Sequence, residues 1–309
     1  MRVSLVTGGA GFIGSHIVQR LLERGDRVVI LDNFSTGKWE NLEPVKDDVE
    51  IIEGDLRETQ RVAQAVQDID LIFHQAAMVS VPLSMEEPQT CFDINVQGTL
   101  NLLEAAQQAN VKQVVLASSC AVYGDSSDCP LQETGETMSL SPYAASKRIN
   151  EVYADLYTRT TKMGVTALRY FNIYGPRQAP DSDYAAAIPI FVRLLLKDEA
   201  VTIYGDGLQS RDFVFVDDVV RANFLASEMS EAAGQVFNVC TGSEITILDL
   251  VNTLRDIFPG TPETKFDPPR SGNIYRSLGD PALADQYLGF DAQTGLLDGL
   301  GQTVDWMRQ

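Results

Sequence analysis

Along the first 170 residues, short apolar runs alternate with amphipathic stretches. The runs at 2–7, 27–31, 49–53, 69–73, 113–118 and 165–170 read as buried strands. The stretches at 14–24, 57–67, 89–109 and 143–160 carry the wider spacing of helices. This alternation predicts an α/β protein with a doubly wound parallel sheet. Beyond residue 170 the pattern loosens, with Pro176, Pro180 and Pro189 as punctuation. A helix at 187–197, strands at 201–204, 213–216 and 235–239, and a helix at 217–228 follow. The pieces from 213 to 239 are expected to return to the first sheet. The predicted domains are therefore residues 1–170 plus 211–241, and a smaller α/β domain of residues 171–210 plus 242–309.

The junction of the first strand and helix carries Gly8, Gly11 and Gly14. In a strand–turn–helix unit, such glycines allow a tight turn, close backbone approach to a pyrophosphate, and close packing of helix on strand. Phe12 and Ile13 open the helix, where free N–H groups face an anion. The spacing is G-x-x-G-x-x-G rather than the commoner G-x-G-x-x-G. The second strand ends at Asp32, where a ribose-binding acid belongs. Together these features predict a Rossmann sheet holding a dinucleotide. A carboxylate at Asp32 accepts from both ribose hydroxyls and repels a 2′-phosphate, and Asn33 adds no compensating charge, which favours NAD over NADP.

Charge narrows the partners. The formal net charge of −19 argues against nucleic acid and anionic membranes. No apolar run approaches the roughly 20 residues that span a bilayer, and the N-terminus enters a strand directly, so a cytoplasmic location is expected. Cysteines 91, 120, 129 and 240 form no CxxC pair, and His16 and His74 make no metal site. No metal is expected. His74, at a strand end, is the histidine better placed to touch a ligand.

Tyr143 and Lys147 stand four apart, after a helix start marked by the potential cap Ser141 and by Pro142. An ammonium beside a phenol favours the phenolate, and an oxidised nicotinamide would add a second positive charge, which makes Tyr143 a base near neutral pH. Ser119 ends the fifth strand, on the side of the sheet where ligands bind. Its hydroxyl can hold a substrate oxygen and relay a proton to Tyr143. The candidate catalytic residues are Ser119, Tyr143 and Lys147.

At this point the chain resembles the extended short-chain dehydrogenase/reductase family, and most closely its UDP-sugar 4-epimerases. The resemblance runs over nearly the whole chain. It rests on Gly8-Gly9-Ala10-Gly11-Phe12-Ile13-Gly14, Asp32-Asn33-Phe34, Gly54-Asp55-Leu56, His74-Gln75-Ala76-Ala77, Asn95-Val96-Gln97-Gly98-Thr99, the Ser119 segment, Tyr143 with Lys147, Arg169-Tyr170-Phe171-Asn172, Gly205-Asp206-Gly207 and Ser210-Arg211-Asp212-Phe213. It implies that Phe12, Ile13, Asp32, Asn33, Ser35, Thr36, Gly37, Asp55, Leu56, Ala76 and Ala77 line the NAD site. It implies that Asn95, Ser118, Tyr143, Lys147 and Tyr170 hold the ribose and nicotinamide. Asn172, Thr202, Tyr204, Arg211 and Arg270 would hold the UDP portion, the two arginines pairing with the diphosphate. A homodimer formed through the helices near 89–109 and 143–160 is also implied.

The resemblance also separates related reactions. Family dehydratases carry Asp-Glu after the catalytic hydroxyl residue, and decarboxylating relatives carry Glu there, whereas this chain has Cys120-Ala121. Glucuronate 4-epimerases usually place Thr where Asn172 stands. The position seven beyond the diphosphate arginine, here Ser277, gates the room near C2 of the sugar. A small residue there predicts that UDP-GlcNAc and UDP-GalNAc enter as well as UDP-glucose and UDP-galactose. The segments Arg177-Gln178-Ala179-Pro180 and Tyr184-Ala185-Ala186-Ala187-Ile188-Pro189 point the same way. The alternatives are a UDP-glucuronate 4-epimerase, another NAD-dependent nucleotide-sugar enzyme, and a binding module without turnover.

Overall fold

The computed structural model describes residues 1–179, 186–269 and 274–309. The first half runs β1 (Val3–Thr7), α1 (Phe12–Arg24), β2 (Arg27–Asp32), β3 (Val49–Glu53), α2 (Thr59–Ala65), β4 (Leu71–His74), α3 (Val81–Glu86), α4 (Pro88–Phe92), α5 (Gly98–Gln108), β5 (Gln113–Ser119), α6 (Pro142–Thr160) and β6 (Gly164–Tyr170). It continues as β7 (Asn172–Tyr174), α7 (Ala187–Leu196), β8 (Thr202–Tyr204), β9 (Ser210–Arg211), β10 (Phe213–Phe215), α8 (Val216–Glu228), β11 (Val236–Val239), β12 (Ile245–Thr246), α9 (Ile247–Ile257), β13 (Lys265–Asp267), β14 (Arg276–Ser277), α10 (Ala282–Leu288) and α11 (Leu296–Met307).

Seven parallel strands form one sheet in the order β11-β6-β5-β4-β1-β2-β3. The order reverses at β1, so a crevice opens between the carboxyl ends of β1 and β4, where α/β sheets bind ligands. Both faces are covered, which is why the strands read as apolar runs rather than alternating ones. One face packs against α1 and α8 through Ile17, Val18, Leu21, Val219 and Ala222. The other packs against α2, α5 and α6 through Val62, Leu102 and Ala154. A third apolar cluster joins Phe191 and Val192 of α7, Leu250 and Leu254 of α9, and Leu300 and Val304 of α11. Phe215 and Val216 belong to this third cluster, so the β10–α8 junction bridges the two halves.

Two expectations need correction. Only β11 rejoins the sheet; Phe213–Phe215 pairs instead with Asn172–Tyr174 in a separate parallel pair. The place beside β6 is already taken by β11, so β10 aligns with the chain just past the end of β6. The predicted helix at 89–109 is broken into α4, a π-helical turn at Asp93–Gln97, and α5. Asn95 sits in that turn, where its side chain is directed at backbone outside the helix. Among the described residues, no helix is long and apolar enough to cross a membrane, and no three His, Cys, Asp or Glu side chains gather as a metal site would.

Candidate active site

The glycine turn forms a bare backbone hollow at the end of β1. Gly8 has φ +70°, and a Cβ there would stand 2.7 Å from the Ala76 nitrogen. A Cβ on Gly14 would stand 2.0 Å from the Gly8 carbonyl oxygen. Gly11 precedes α1 without a side-chain cap, and the first turn of the helix contains no acidic residue. Among the described residues, the N–H groups of Phe12 and Ile13 find no acceptor. An anion at this helix start would supply one.

The walls follow from neighbouring loops. Asp32 is buried at the end of β2, where it accepts from the Ala10 N–H at 2.9 Å and the Phe34 N–H at 2.8 Å. Burial raises its pKa, and these backbone bonds oppose the rise. Asn33 donates to Asp55 at 2.7 Å and accepts from the Ser35 hydroxyl at 2.7 Å. Thr36 and Gly37 complete that turn, which begins at Phe34 with φ 54°. Hydrogen bonding to Arg57 holds the Asp55 carboxyl well below its ordinary range. Leu56 is buried beside it, and Ala76 and Ala77 follow β4 over the hollow. A dinucleotide fits this cradle. The bare turn and open N–H groups suit a pyrophosphate, and the acid beyond β2 suits a ribose.

Three residues expected at the ribose and nicotinamide are engaged inside the protein. Asn95 grips the Met78 backbone from both sides, at 2.8 and 2.9 Å. Ser118 donates to the buried Glu151 at 2.6 Å. Tyr170 accepts from Asn223 at 2.8 Å and donates to Gln75 at 3.2 Å. All three brace the walls of the crevice. His74 also works from inside: it bridges Thr7 at 2.7 Å and Thr99 at 2.9 Å. Thr99 donates to the Asn95 carbonyl, so the Nε2 of His74 is the protonated nitrogen. Burial pushes its pKa down to about 3, which keeps the ring neutral.

The catalytic candidates meet at the ends of β5 and α6. Ser141 caps α6 by accepting from the Ala144 N–H at 3.1 Å, and the Tyr143 N–H donates to Ser84 of α3 at 3.2 Å. Lys147 is buried and donates to the Ala117 carbonyl at 2.8 Å, with its Nζ 5.9 Å from the centre of the Tyr143 ring. The protein groups alone do not lower the phenol. Burial pushes Tyr143 up to about 12, opposed by the nearby Ser119 hydroxyl, and pushes Lys147 down to about 8. At this depth desolvation dominates, and the lysine ammonium is directed at a backbone carbonyl.

The far wall comes from β9 and β14. Arg211 and Ser277 are register partners, and Ser277 lies near the thiol of Cys120, next to Ser119. The Arg211 guanidinium is half-buried, donates to the Ser210 carbonyl at 2.7 Å, and meets no carboxylate among the described residues. Burial lowers its pKa. The neighbouring Asp212 anchors this wall by accepting from the Thr241, Gly242 and Gly279 N–H groups at 2.8, 2.9 and 3.4 Å. Asn172 donates to the Asp212 carbonyl at 3.2 Å. Thr202 and Tyr204 sit two apart on β8, which the Gln209 side chain joins to the start of β9. Arg270, Pro180 and Tyr184 lie outside the described residues.

Reading from sequence missed Ser84, Gln75, Asn223 and the pair Glu151–Arg169. Gln75 and Arg169 stood within the motifs quoted for the resemblance, and Glu151 lies four beyond Lys147 on the same face of the helix; Ser84 and Asn223 had no signal.

Family models bear on this geometry. The model described as the NAD dependent epimerase/dehydratase family matches residues 4–240. The chain belongs to this family. Within it, the chain is similar to UDP-glucose 4-epimerase of Mycolicibacterium smegmatis, with 38% identity over 309 residues, 99% of this chain and 98% of the relative. The solved structure of UDP-N-acetylglucosamine 4-epimerase from Methanobrevibacter ruminantium M1, in complex with UDP-N-acetylmuramic acid, matches with a TM-score of 0.95 at 38% identity. That match covers 99% of this chain and 98% of the other. UDP-glucose 4-epimerase from Thermotoga maritima with UDP-glucose matches with a TM-score of 0.94 at 37% identity, with the same coverage. The family is NAD dependent, and NAD is a dinucleotide of the kind that the glycine cradle suits.

Proposed function

We propose that the protein inverts C4 of a UDP-hexose with the help of bound NAD. One observation carries the reading. A serine, a tyrosine and a buried lysine converge at the carboxyl edge of the sheet, between a dinucleotide cradle and a half-buried arginine that meets no carboxylate among the described residues. Residues 1–170 plus 211–241 would hold the cofactor, and residues 171–210 plus 242–309 the UDP-sugar.

Bound NAD would supply a hydride acceptor and donor for C4 and a positive ring charge beside the phenol. Beside that ring charge and the Lys147 ammonium the Tyr143 phenol would be ionised; Ser119 holds the 4-oxygen, and the Tyr143 phenolate takes its proton. Lys147 fixes the phenol and adds positive charge. Arg211 clamps the diphosphate, so the pyranose can turn while the nucleotide stays bound. The thiol of Cys120, pushed up to about 11 by burial, stays neutral and does not replace the acid of dehydratases or decarboxylases. Asn172 disfavours a uronic acid. The small Ser277 leaves room at C2, so UDP-GlcNAc and UDP-GalNAc join UDP-glucose and UDP-galactose as substrates.

A homodimer fits the surface. Met85, Phe92, Val152 and Leu156 are exposed on α3, α4 and α6, an apolar face that a second copy would cover. Light scattering would give twice the mass of the chain; the mass of a single chain would refute the dimer. NMR assays of the four UDP-sugars test the function. Interconversion within both pairs is expected; inactivity on the N-acetyl pair alone overturns the Ser277 reading, and inactivity on all four overturns the function.

A further inference from the structure

Behind the catalytic helix lies a charge cluster that the reaction does not use. Ser118, Glu151 and Arg169 are each at most 3% exposed. Ser118 of β5 and Arg169 of β6 are register neighbours under α6. Arg169 forks onto Glu151 with two bonds of 2.8 Å, and Arg148 adds a third at 3.0 Å. The remaining face of the Arg169 guanidinium lies 4.7 Å from the centre of the Tyr123 ring. Buried ion pairs of this kind add little net stability over apolar residues, so their cost calls for another reason.

The geometry offers one. Lys147 and Glu151 lie one turn apart on α6, and they reach successive residues of β5. Lys147 donates to the Ala117 carbonyl, and Glu151 accepts from the Ser118 hydroxyl. The next residue of β5 is Ser119, and one turn before Lys147 is Tyr143. We infer that Glu151, held rigid by Arg169, is a positioning residue whose bond to Ser118 sets the register of α6 on β5 and thereby holds Tyr143 against Ser119. The carboxylate touches neither the substrate nor the cofactor. It is the second of two fastenings, and the fork of Arg169 lets it accept from Ser118 without rotating. The inference rests on the 4-epimerase reading for its kinetic consequence, but not for its structural one.

The test starts with Ser118→Ala, which cuts the link and leaves the ion pair in place. The NAD-loaded variant is expected to lose about tenfold or more in kcat, with KM for UDP-glucose within about twofold of the parent, because substrate clamping is untouched. A second variant, Glu151→Leu with Arg169→Met, removes both charges at similar volume. Its melting temperature should approach that of the parent while kcat stays low; recovery of kcat along with stability would mean a merely structural pair. A third readout does not need turnover. The chain has seven lysines, so carbon-13 labelling at Cε lets Lys147 be titrated by NMR and assigned through Lys147→Met. Loosening the latch exposes the ammonium, and its midpoint should rise by about one pH unit in Ser118→Ala, a tenfold gain in proton affinity. An unchanged kcat with an unmoved Lys147 midpoint overturns the inference, as does loss of NAD from Ser118→Ala. If the parent holds NAD yet turns over no UDP-hexose, the functional reading fails, and the Lys147 titration alone decides the latch.

Discussion

Replacing Arg211 with Met should move stability and ligand binding in opposite directions. The guanidinium is half-buried beside Ser277, with the Ser210 carbonyl as a hydrogen-bond partner and no carboxylate among the described residues. Burial lowers its pKa, so the cation is less favourable in the folded chain than in the unfolded one at any pH where arginine is charged. Met keeps the apolar stem and removes that penalty. The melting temperature of the ligand-free protein should therefore hold or rise. A diphosphate provides the missing counter-charge, and losing one partner of such a desolvated pair costs about 2–5 kcal/mol. The middle of that range, about 3.5 kcal/mol, corresponds to roughly 300-fold weaker binding. Calorimetry with UDP on the NAD-loaded parent and variant reads the effect directly. UDP binding within about threefold of the parent, or a melting temperature lowered by more than about 5 °C, would show that Arg211 is a structural cation rather than a diphosphate clamp.

Gly14→Ala places a Cβ 2.0 Å from the Gly8 carbonyl oxygen, so backbone must move. A loss of about 3 kcal/mol in stability and of co-purifying NAD is expected, measured by urea melts and cofactor content. The buried Lys147 titrates at about 8 in the folded chain, against about 10.4 when unfolded. The unfolded chain binds more protons between those values, so this group makes stability rise across pH 8–10 by up to roughly 3 kcal/mol. Urea melts at the two pH values should show that slope in the parent and a flatter one in Lys147→Met. Ser277→Tyr should reject UDP-GlcNAc by about tenfold or more in kcat/KM relative to UDP-glucose; equal losses on both sugars would remove Ser277 from sugar selection.

The sheet was legible because burial on both faces makes each strand a short apolar run, and the glycine turn and Asp32 mark the cofactor side by local chemistry alone. The β10 placement was not legible, since an apolar trio such as Phe213–Phe215 does not state which strand it will pair with. The break at Asn95 escaped because the apolar periodicity continues through the π-helical turn. Site residues were recognisable by type, but their directions were not. Ser118 and Ser119 are adjacent in sequence, yet the Ser118 hydroxyl donates to Glu151 under α6 while the Ser119 hydroxyl, at the end of the strand, accepts from the Ala121 N–H. The upward push of burial on the Tyr143 phenol was also hidden, because spacing shows the nearby ammonium but not the desolvation.

Turnover depends on Tyr143 as the proton acceptor at C4. The most direct measurement compares the parent with Tyr143→Phe, both purified with NAD, by following UDP-glucose to UDP-galactose by NMR. The phenol packs beside Ser119 at the mouth of the crevice, so Phe should fold and keep the cofactor. The predicted result is interconversion slowed by about 10²–10⁴-fold with NAD content unchanged. Interconversion at the rate of the parent in the Phe variant would contradict the account.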